Sequence, residues 1–281
     1  MEVESPAKIN LSLVVEGKRN DGFHNIKTIF QTISLFDKIK IFPAPALSVF
    51  CPPILEKENL VHKAALSLLE YTGGKKGAKI VIKKHIPISA GMGGGSSNCA
   101  ECLLALNRFW GLSLSLDELK KIGERLGADV CFFLEKGTCL GEGKGEKLIK
   151  LPLIPDCFFL LVVFPFKVST REVYQEWGMG SGECGVRSAE CGIEKMILAI
   201  KNGDIFGIAK NLHNCLESVT IRKYPEIGKM KEYLIKGGAL NALMSGSGPT
   251  LFGIFNKRKD AERVRKALLY LRIKAKVVKP I

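Results

Sequence analysis

The chain has no apolar run long enough to cross a bilayer. Its longest, Cys157 to Phe166, is interrupted by Pro165 and falls far short of the roughly 20 residues a spanning helix needs. The opening residues Met1-Glu2-Val3-Glu4 are acidic, without the basic start and small-residue cleavage site of a secretion signal. A cytoplasmic protein with no membrane partner is therefore expected. The 9 cysteines are an odd number with no framework spacing, which argues against a disulfide scaffold and predicts reduced thiols. Cys99-Ala100-Glu101-Cys102 stands without the second Cys or His pair that completes a zinc site, so both cysteines read as small core residues. Glutamine occurs only at Gln31 and Gln175 while lysine is plentiful, a composition that leans towards heat adaptation. Zinc-finger spacing and an aromatic-studded RNA-binding signature are also missing, so nucleic acid is not the expected partner.

What is present is positive charge. The 42 basic residues outnumber the 28 acidic ones, for a net charge of +14, which suits an anionic ligand. The lysines are spread along the chain, with modest clusters at Lys75 to Lys84 and Lys257 to Lys276. A length of 281 residues predicts two domains. The composition shifts at Leu151-Pro152-Leu153-Ile154-Pro155, giving expected domains of 1–150 and 151–281.

The most informative stretch is Pro87-Ile88-Ser89-Ala90-Gly91-Met92-Gly93-Gly94-Gly95-Ser96-Ser97, with 4 glycines, 3 serines and no charge. Ala78 to Lys84 before it alternates like a strand, and Asn98 to Trp110 after it has helical apolar spacing. Glycines let a backbone approach a ligand closely, and a helix start offers unpaired N–H groups and the positive end of a dipole. The natural occupant is a phosphate chain. The loop lacks the Walker lysine, and Ser96 stands where a dinucleotide fingerprint needs Gly or Ala. A flexible linker is the alternative at this point.

Other candidates lie on either side. Ser5 to Val15 reads as a strand on which Lys8 and Asn10, two apart, share a face; Lys8 either snorkels to the edge or lines a polar site. Lys18 to Asn25 reads as a turn, with Phe23 and His24 able to stack on and hydrogen-bond a planar ligand, or simply to anchor a loop. Ile26 to Ile41 reads as a strand whose Phe30 faces either core or ligand. Asn59 opens an amphipathic helix over Glu58 to Glu70 and caps it or does more. Ser115-Leu116-Asp117-Glu118 is a capping box, for a helix that stops at Gly127. Asp129 either caps the next turn or, beside a Lys, serves as a base. The second half predicts a strand from Phe158 and a glycine-rich loop over Gly178 to Gly192. Helices follow at Ile193 to Lys201, Phe206 to Leu216, Pro225 to Lys236 and Asp260 to Leu271. A second glycine turn, Ser245 to Thr250, lies between strands Ala239 to Met244 and Leu251 to Phe255, and a last strand covers Ile273 to Val278. The class is α+β, with βαβ alternation in the second half.

Three segments, P-A-K-I-N, P-I-S-A-G-M-G-G-G-S-S and G-S-G-P-T, resemble in order and spacing the GHMP kinase superfamily, across the whole chain. Within it, K-R-x-D-G-F-H, G-G-G-S-S-N and G-A-D-V-x-F-F resemble the branch that acts on a cytidine-diphosphate-linked sugar alcohol in the non-mevalonate isoprenoid route. The resemblance implies a two-domain GHMP kinase fold. Its N-terminal α+β domain would carry the phosphate loop, and its C-terminal domain would be a ferredoxin-like α/β sandwich. It implies ATP-dependent phosphorylation of the 2-hydroxyl of a methylerythritol unit, with Mg²⁺ as bridge between phosphates and no protein ligand for the metal identified. Asp129 would be the base and Lys8 its activator, and Asn10 would orient the hydroxyl. Pro87 through Ser97 would cradle the triphosphate, with Asn59 and Lys84 near the adenine and ribose. Phe23, His24, Phe30 and Tyr174 would form the cytosine pocket, and the Gly246-Ser247-Gly248 turn would close the floor where the two domains meet. Cys131 stands where the family usually has proline, Phe23 where tyrosine is common, and Met92 where leucine is usual. The rival readings are a GHMP kinase for mevalonate or homoserine, and a basic RNA-binding protein. The oligomeric state, monomer or homodimer, stays open.

Overall fold

The computed structural model describes residues 1–74, 76–179 and 186–281. The chain forms two compact units that interleave along the sequence. The first comprises Met1–Ala7, Leu35–Ile88 and Gly93–Lys136, and the second Lys8–Ser34, Ser89–Met92 and Gly137–Ile281. Two long strands, β1 (Glu2–Lys18) and β2 (His24–Phe42), contribute residues to both.

In the first unit the end of β2 pairs antiparallel with β4 (Ala78–Lys83), and β4 pairs parallel with β3 (Leu47–Phe50). Along β4 the apolar residues Ala78, Ile80 and Ile82 are buried while Lys79 and Lys83 are exposed, the period-2 pattern of a sheet with one wet face. Its α-helices among the described residues are α1 (Leu60–Thr72), α2 (Gly94–Phe109), α3 (Leu116–Leu126) and α4 (Val130–Glu135). The first two pack on one another, and α1 buries Val61, Ala64, Ala65 and Leu68. Asn59 caps α1, accepting the Val61 N–H at 2.9 Å, and Ser115 with Glu118 forms the expected capping box of α3. Cys99 and Cys102 are wholly buried on α2. Burial, with Cys131 nearby, pushes the Cys99 thiol up to about 12, which leaves it an inert core residue.

Helix α2 begins at Gly94, four residues before the sequence pattern predicts. Gly93 takes a left-handed φ of 65°, which turns the chain so that the helix starts at once. A Cβ on Gly94 would lie 2.9 Å from Ile86 Cγ2 and 3.1 Å from Lys84 Nζ, so glycine is needed there inside a helix despite its poor propensity.

In the second unit β5 (Thr138–Glu142) pairs with β2 and with β6 (Lys147–Lys150). A four-stranded antiparallel sheet follows, built from β7 (Phe158–Val162), β9 (Asn241–Met244), β10 (Leu251–Phe255) and β11 (Ala275–Val278) in the order β11-β7-β10-β9. With α9 (Pro225–Lys236) on β9 and β10, and α10 (Arg258–Tyr270) on β7, β10 and β11, this is the split βαβ pattern of a ferredoxin-like sandwich. Between β7 and β9 the chain also forms α5 (Thr170–Met179), α6 (Val186–Lys201), α7 (Ile205–Lys210), β8 (His213–Asn214) and α8 (Glu217–Lys223).

The helix expected over Phe206 to Leu216 ends instead at Lys210, because β8 pairs with β1 through Ser12 and Leu13. Asn214 then turns the chain, donating to Met244 O and Gly246 O at 2.7 Å and accepting the Leu216 N–H at 2.9 Å. Within the expected loop over Gly178 to Gly192, residues 180–185 lie outside the described residues, and Gly192 lies within α6. The C-terminus returns to β2, with Ser34 N donating to Lys279 O at 2.9 Å and Ile281 N to Thr32 O at 3.1 Å. Among the described residues no helix is long and apolar enough to cross a membrane.

The second unit's sheet is centred on Phe159 and Phe252, whose rings meet edge to face at 5.7 Å with both side chains fully buried. Phe252→Ala is expected to cost about 3–5 kcal/mol, read as a lowered midpoint in chemical denaturation followed by circular dichroism.

Candidate active site

The phosphate-loop candidate, Pro87 to Ser97, is fastened at several points. In the second unit Thr250 Oγ1 donates to Ala90 O at 2.5 Å, Ser245 Oγ donates to Gly91 O at 3.0 Å, and Lys8 N donates to Met92 O at 3.1 Å. The second glycine turn therefore serves as bedding for the first. Gly91 has φ 75°, and a Cβ there would sit 2.3 Å from Ser245 O, so no other residue fits without displacing backbone. In the first unit Ser97 Oγ shares a hydrogen bond with Ser5 Oγ at 2.7 Å. The first N–H groups of a helix lack internal acceptors, and the cap residue of α2, Gly93, has no side chain to supply one. Such donors, together with the positive helix end, favour an anion.

Lys84 stands beside this helix start. Its ammonium donates to Asp37 and, at 2.9 Å, to Asn98 Oδ1. Asp37 is fully buried on β2 and also accepts the backbone N–H groups of His85 at 2.6 Å and Ile86 at 2.8 Å, and Asn98 Nδ2 at 2.9 Å.

Lys8 and Asn10 do share one face of β1. Lys8 is nearly buried, and its Nζ donates to Asn10 Oδ1 at 2.7 Å and lies 5.1 Å from the centre of the Phe30 ring. Asn10 Nδ2 donates to Thr28 Oγ1 at 2.7 Å, and Thr28 Oγ1 donates to Ser12 O at 2.6 Å. This relay points the Asn10 carbonyl at the ammonium. Phe30 is itself 1% exposed, covered by Gly141 and Gly145, whose Cβ positions would lie 2.7 and 3.3 Å from its ring.

Asp129, in the first unit, sits at the start of α4 but its side chain makes no capping bond, so the cap reading of this acid does not hold. The turn is held by Val130 N donating to Gly127 O at 3.1 Å, and Cys131, at the position noted as unusual, is buried in α4 with its thiol 3.6 Å from Lys120 O. Ser96 Oγ lies 3.9 Å from the Cβ position of Gly127, which brings loop and acid-bearing turn into one neighbourhood.

Further along the second unit, the His24 ring lies 5.0 Å from that of Tyr174, and 6.2 Å from Trp177 in an edge-on contact. Burial, aided by the charge of Lys18, holds the His24 imidazole below its ordinary value of 6.5. A neutral ring keeps one nitrogen as donor and the other as acceptor. Phe23 is 58% exposed, with Lys144 Nζ 4.8 Å over its ring.

Comparison with known proteins matches residues 59–137 to the GHMP kinases N-terminal domain and residues 196–271 to the GHMP kinases C-terminal domain. The chain is 42% identical over 265 residues to 4-diphosphocytidyl-2-C-methyl-D-erythritol kinase of Pelotomaculum thermopropionicum, covering 92% of this chain and 90% of that one. It is 42% identical over 277 residues to the enzyme of the same name from Clostridioides difficile, covering 96% and 91%. The chain belongs to the 4-diphosphocytidyl-2-C-methyl-D-erythritol kinase family. A crystal structure of 4-(cytidine 5'-diphospho)-2C-methyl-D-erythritol kinase superposes with a TM-score of 0.82 at 30% identity, covering 100% of this chain and 99% of that one. The two-domain GHMP kinase fold is thus the fold of this family member.

The sequence alone assigns no role of their own to Asp37, Asn98, Thr28, Ser245, Thr250 or Trp177, although Asn98, Ser245 and Thr250 fall within its motifs and turns. Asp37 left a faint signal, an acid inside an otherwise apolar alternation from Ile33 to Ile41. Trp177, three residues after Tyr174 on a helix, could have been paired with it by spacing alone.

Two outcomes follow for the loop and the imidazole. Gly91→Ala is expected to lower stability by about 1–3 kcal/mol through its left-handed φ and backbone clash, measured by thermal melting. An NMR titration is expected to place the His24 midpoint below 6.5. Stability contributed by the neutral ring is then fully present above that pH and is lost as the pH falls through the folded-state value.

Proposed function

We propose that this family member transfers the γ-phosphoryl group of ATP to the 2-hydroxyl of 4-(cytidine 5'-diphospho)-2-C-methyl-D-erythritol. The observation that carries this reading is the 42% identity to a kinase of that name over 96% of the chain. The hydroxyl oxygen forms a bond to the γ-phosphorus, the bond from that phosphorus to the bridging oxygen breaks, and ADP leaves. Asp129 takes the hydroxyl proton, and Lys8 supplies positive charge as the oxygen approaches. Transfer of this kind depends on positioning and charge stabilisation far more than on covalent help.

The amides from Gly91 to Ser97 receive the triphosphate, with the Ser96 and Ser97 hydroxyls on the same turn, and Pro87 to Ala90 lead the chain in. Asn59 and Lys84 lie towards the adenine and ribose, and Asn10 orients the acceptor hydroxyl. His24, in its neutral form, hydrogen-bonds the cytosine, while Tyr174 and Phe23 supply apolar surface; Phe30, expected there from the sequence, is buried and lies beside Lys8 instead. Trp177 joins this group because its ring already meets His24 edge-on.

Mg²⁺ fits this chemistry. Such an ion is carried chiefly by substrate phosphates with few protein ligands, and among the described residues no cluster of three or more His, Cys, Asp or Glu forms a dedicated cage. Ser96 offers a hard oxygen donor beside Gly127. When bound, the ion would neutralise charge on the phosphate oxygens.

The test is a coupled assay of ADP release. Cytidyl alcohol is expected to be turned over, and mevalonate and homoserine to be ignored. Asp129→Asn is expected to lower kcat by roughly 10²–10⁴-fold with ATP affinity little changed. Turnover of mevalonate in place of the cytidyl alcohol, or an active Asp129→Asn variant, would overturn the assignment.

A further inference from the structure

We propose that Asp37 is a positioning residue for phosphoryl transfer. Its buried carboxylate joins the entry and the exit of the glycine loop and so sets the spacing of the amides that receive the triphosphate. The inference rests on the reading of that loop as the ATP site.

The two carboxylate oxygens divide the work. Asp37 Oδ1 accepts from His85 N at 2.6 Å and Ile86 N at 2.8 Å, the two peptide groups immediately before Pro87. Asp37 Oδ2 accepts from the Lys84 ammonium and from Asn98 Nδ2 at 2.9 Å, and Asn98 lies within the first turns of α2. The other hydrogen of that amide reaches Ser5 Oγ at 2.9 Å, and Ser5 in turn meets Ser97 Oγ at 2.7 Å. One side chain therefore pins the chain on both sides of an eleven-residue stretch that holds 4 glycines and no charge.

A carboxylate offers about four lone-pair sites, and four donors fill them. With those sites taken, Asp37 acts by holding the chain rather than by touching a ligand. It also holds a cation where one is unfavourable. Lys84 Nζ would lie 3.1 Å from a Cβ on Gly94, the first residue of α2, at the positive end of the helix dipole. Asp37 offsets that charge, and the arrangement keeps an ammonium ready beside the amides that an anionic ligand would meet.

A buried ion pair can also act through stability alone, and the same unit supplies the comparison. Glu101 on α2 is also buried and pairs with Lys136; among the described residues it bonds to neither end of the loop. The experiment compares the full-length wild type with Asp37→Asn, Asn98→Ala and Glu101→Gln. It measures calorimetric binding of a non-hydrolysable ATP analogue, the KM for each substrate, thermal melting, and amide exchange over residues 85–98. Asp37→Asn is expected to weaken analogue binding and raise the ATP KM by about tenfold or more. The cytidyl-alcohol KM should stay within about twofold, and the His85 and Ile86 amides should exchange faster. Asn98→Ala should do the same to a smaller degree, and it decides the matter if Asp37→Asn does not fold. Glu101→Gln should lower the melting midpoint and leave the ATP KM where it was. The proposal is overturned if Asp37→Asn, or Asn98→Ala in its place, loses stability with an unchanged ATP KM, or if Glu101→Gln raises that KM equally. Failure of the wild type to bind the analogue would instead overturn the reading of the loop as an ATP site.

Discussion

A loop that must present bare amides to a polyphosphate cannot also hold itself in shape. Side chains that could brace it would fill the space the ligand needs, and the glycines that clear that space surrender the chain to conformational freedom. The brace has to come from elsewhere, and nearly every polar contact around residues 87–97 is of that kind. Thr250, Ser245 and the Lys8 amide hold the carbonyls of Ala90, Gly91 and Met92. Asp37, through its backbone and Asn98 partners, holds the two flanks. The second glycine turn can serve as bedding because Gly91 has no side chain to keep Ser245 away.

The same economy runs through the base candidate and its activator. Lys8 is buried on a strand, yet it is not left to find its own orientation. The Asn10 amide faces it, and Thr28 fixes which end of that amide does so. Asp129 occupies a helix start without being consumed as its cap. Lys8 is thus placed by neighbours that spend their own hydrogen bonds on the placement, as a reaction governed by positioning demands. The excess of basic over acidic residues, +14 for the whole chain, favours the approach of two highly anionic substrates.

Much of this was legible in the residues. Alternation marked β4, the Ser115–Glu118 box marked the start of α3, and the glycine run marked the loop, because each is a local pattern with a local cause. The start of α2 was not, since helix formation through Gly94 and Gly95 is decided by the closeness of Ile86 and Lys84 rather than by propensity. The break after Lys210 was not either, because only the pairing of His213 and Asn214 with a strand some 200 residues away makes extended chain preferable there. Asp37 was hidden for the same reason. An acid within an apolar strand is a defect until its four donors are known, and three of them come from a segment nearly 50 residues later. The motifs carried the family, whereas the supports of the site are long-range and silent in the sequence.

The most direct test is a crystal structure of the chain with a non-hydrolysable ATP analogue and the cytidyl sugar alcohol. The account predicts that the triphosphate lies against the amides of Gly91 to Ser97, that the 2-hydroxyl donates to the Asp129 carboxylate, and that the pyrimidine meets His24 and Tyr174. A triphosphate bound away from that loop, or an acceptor hydroxyl that leaves Asp129 without a contact, would contradict it.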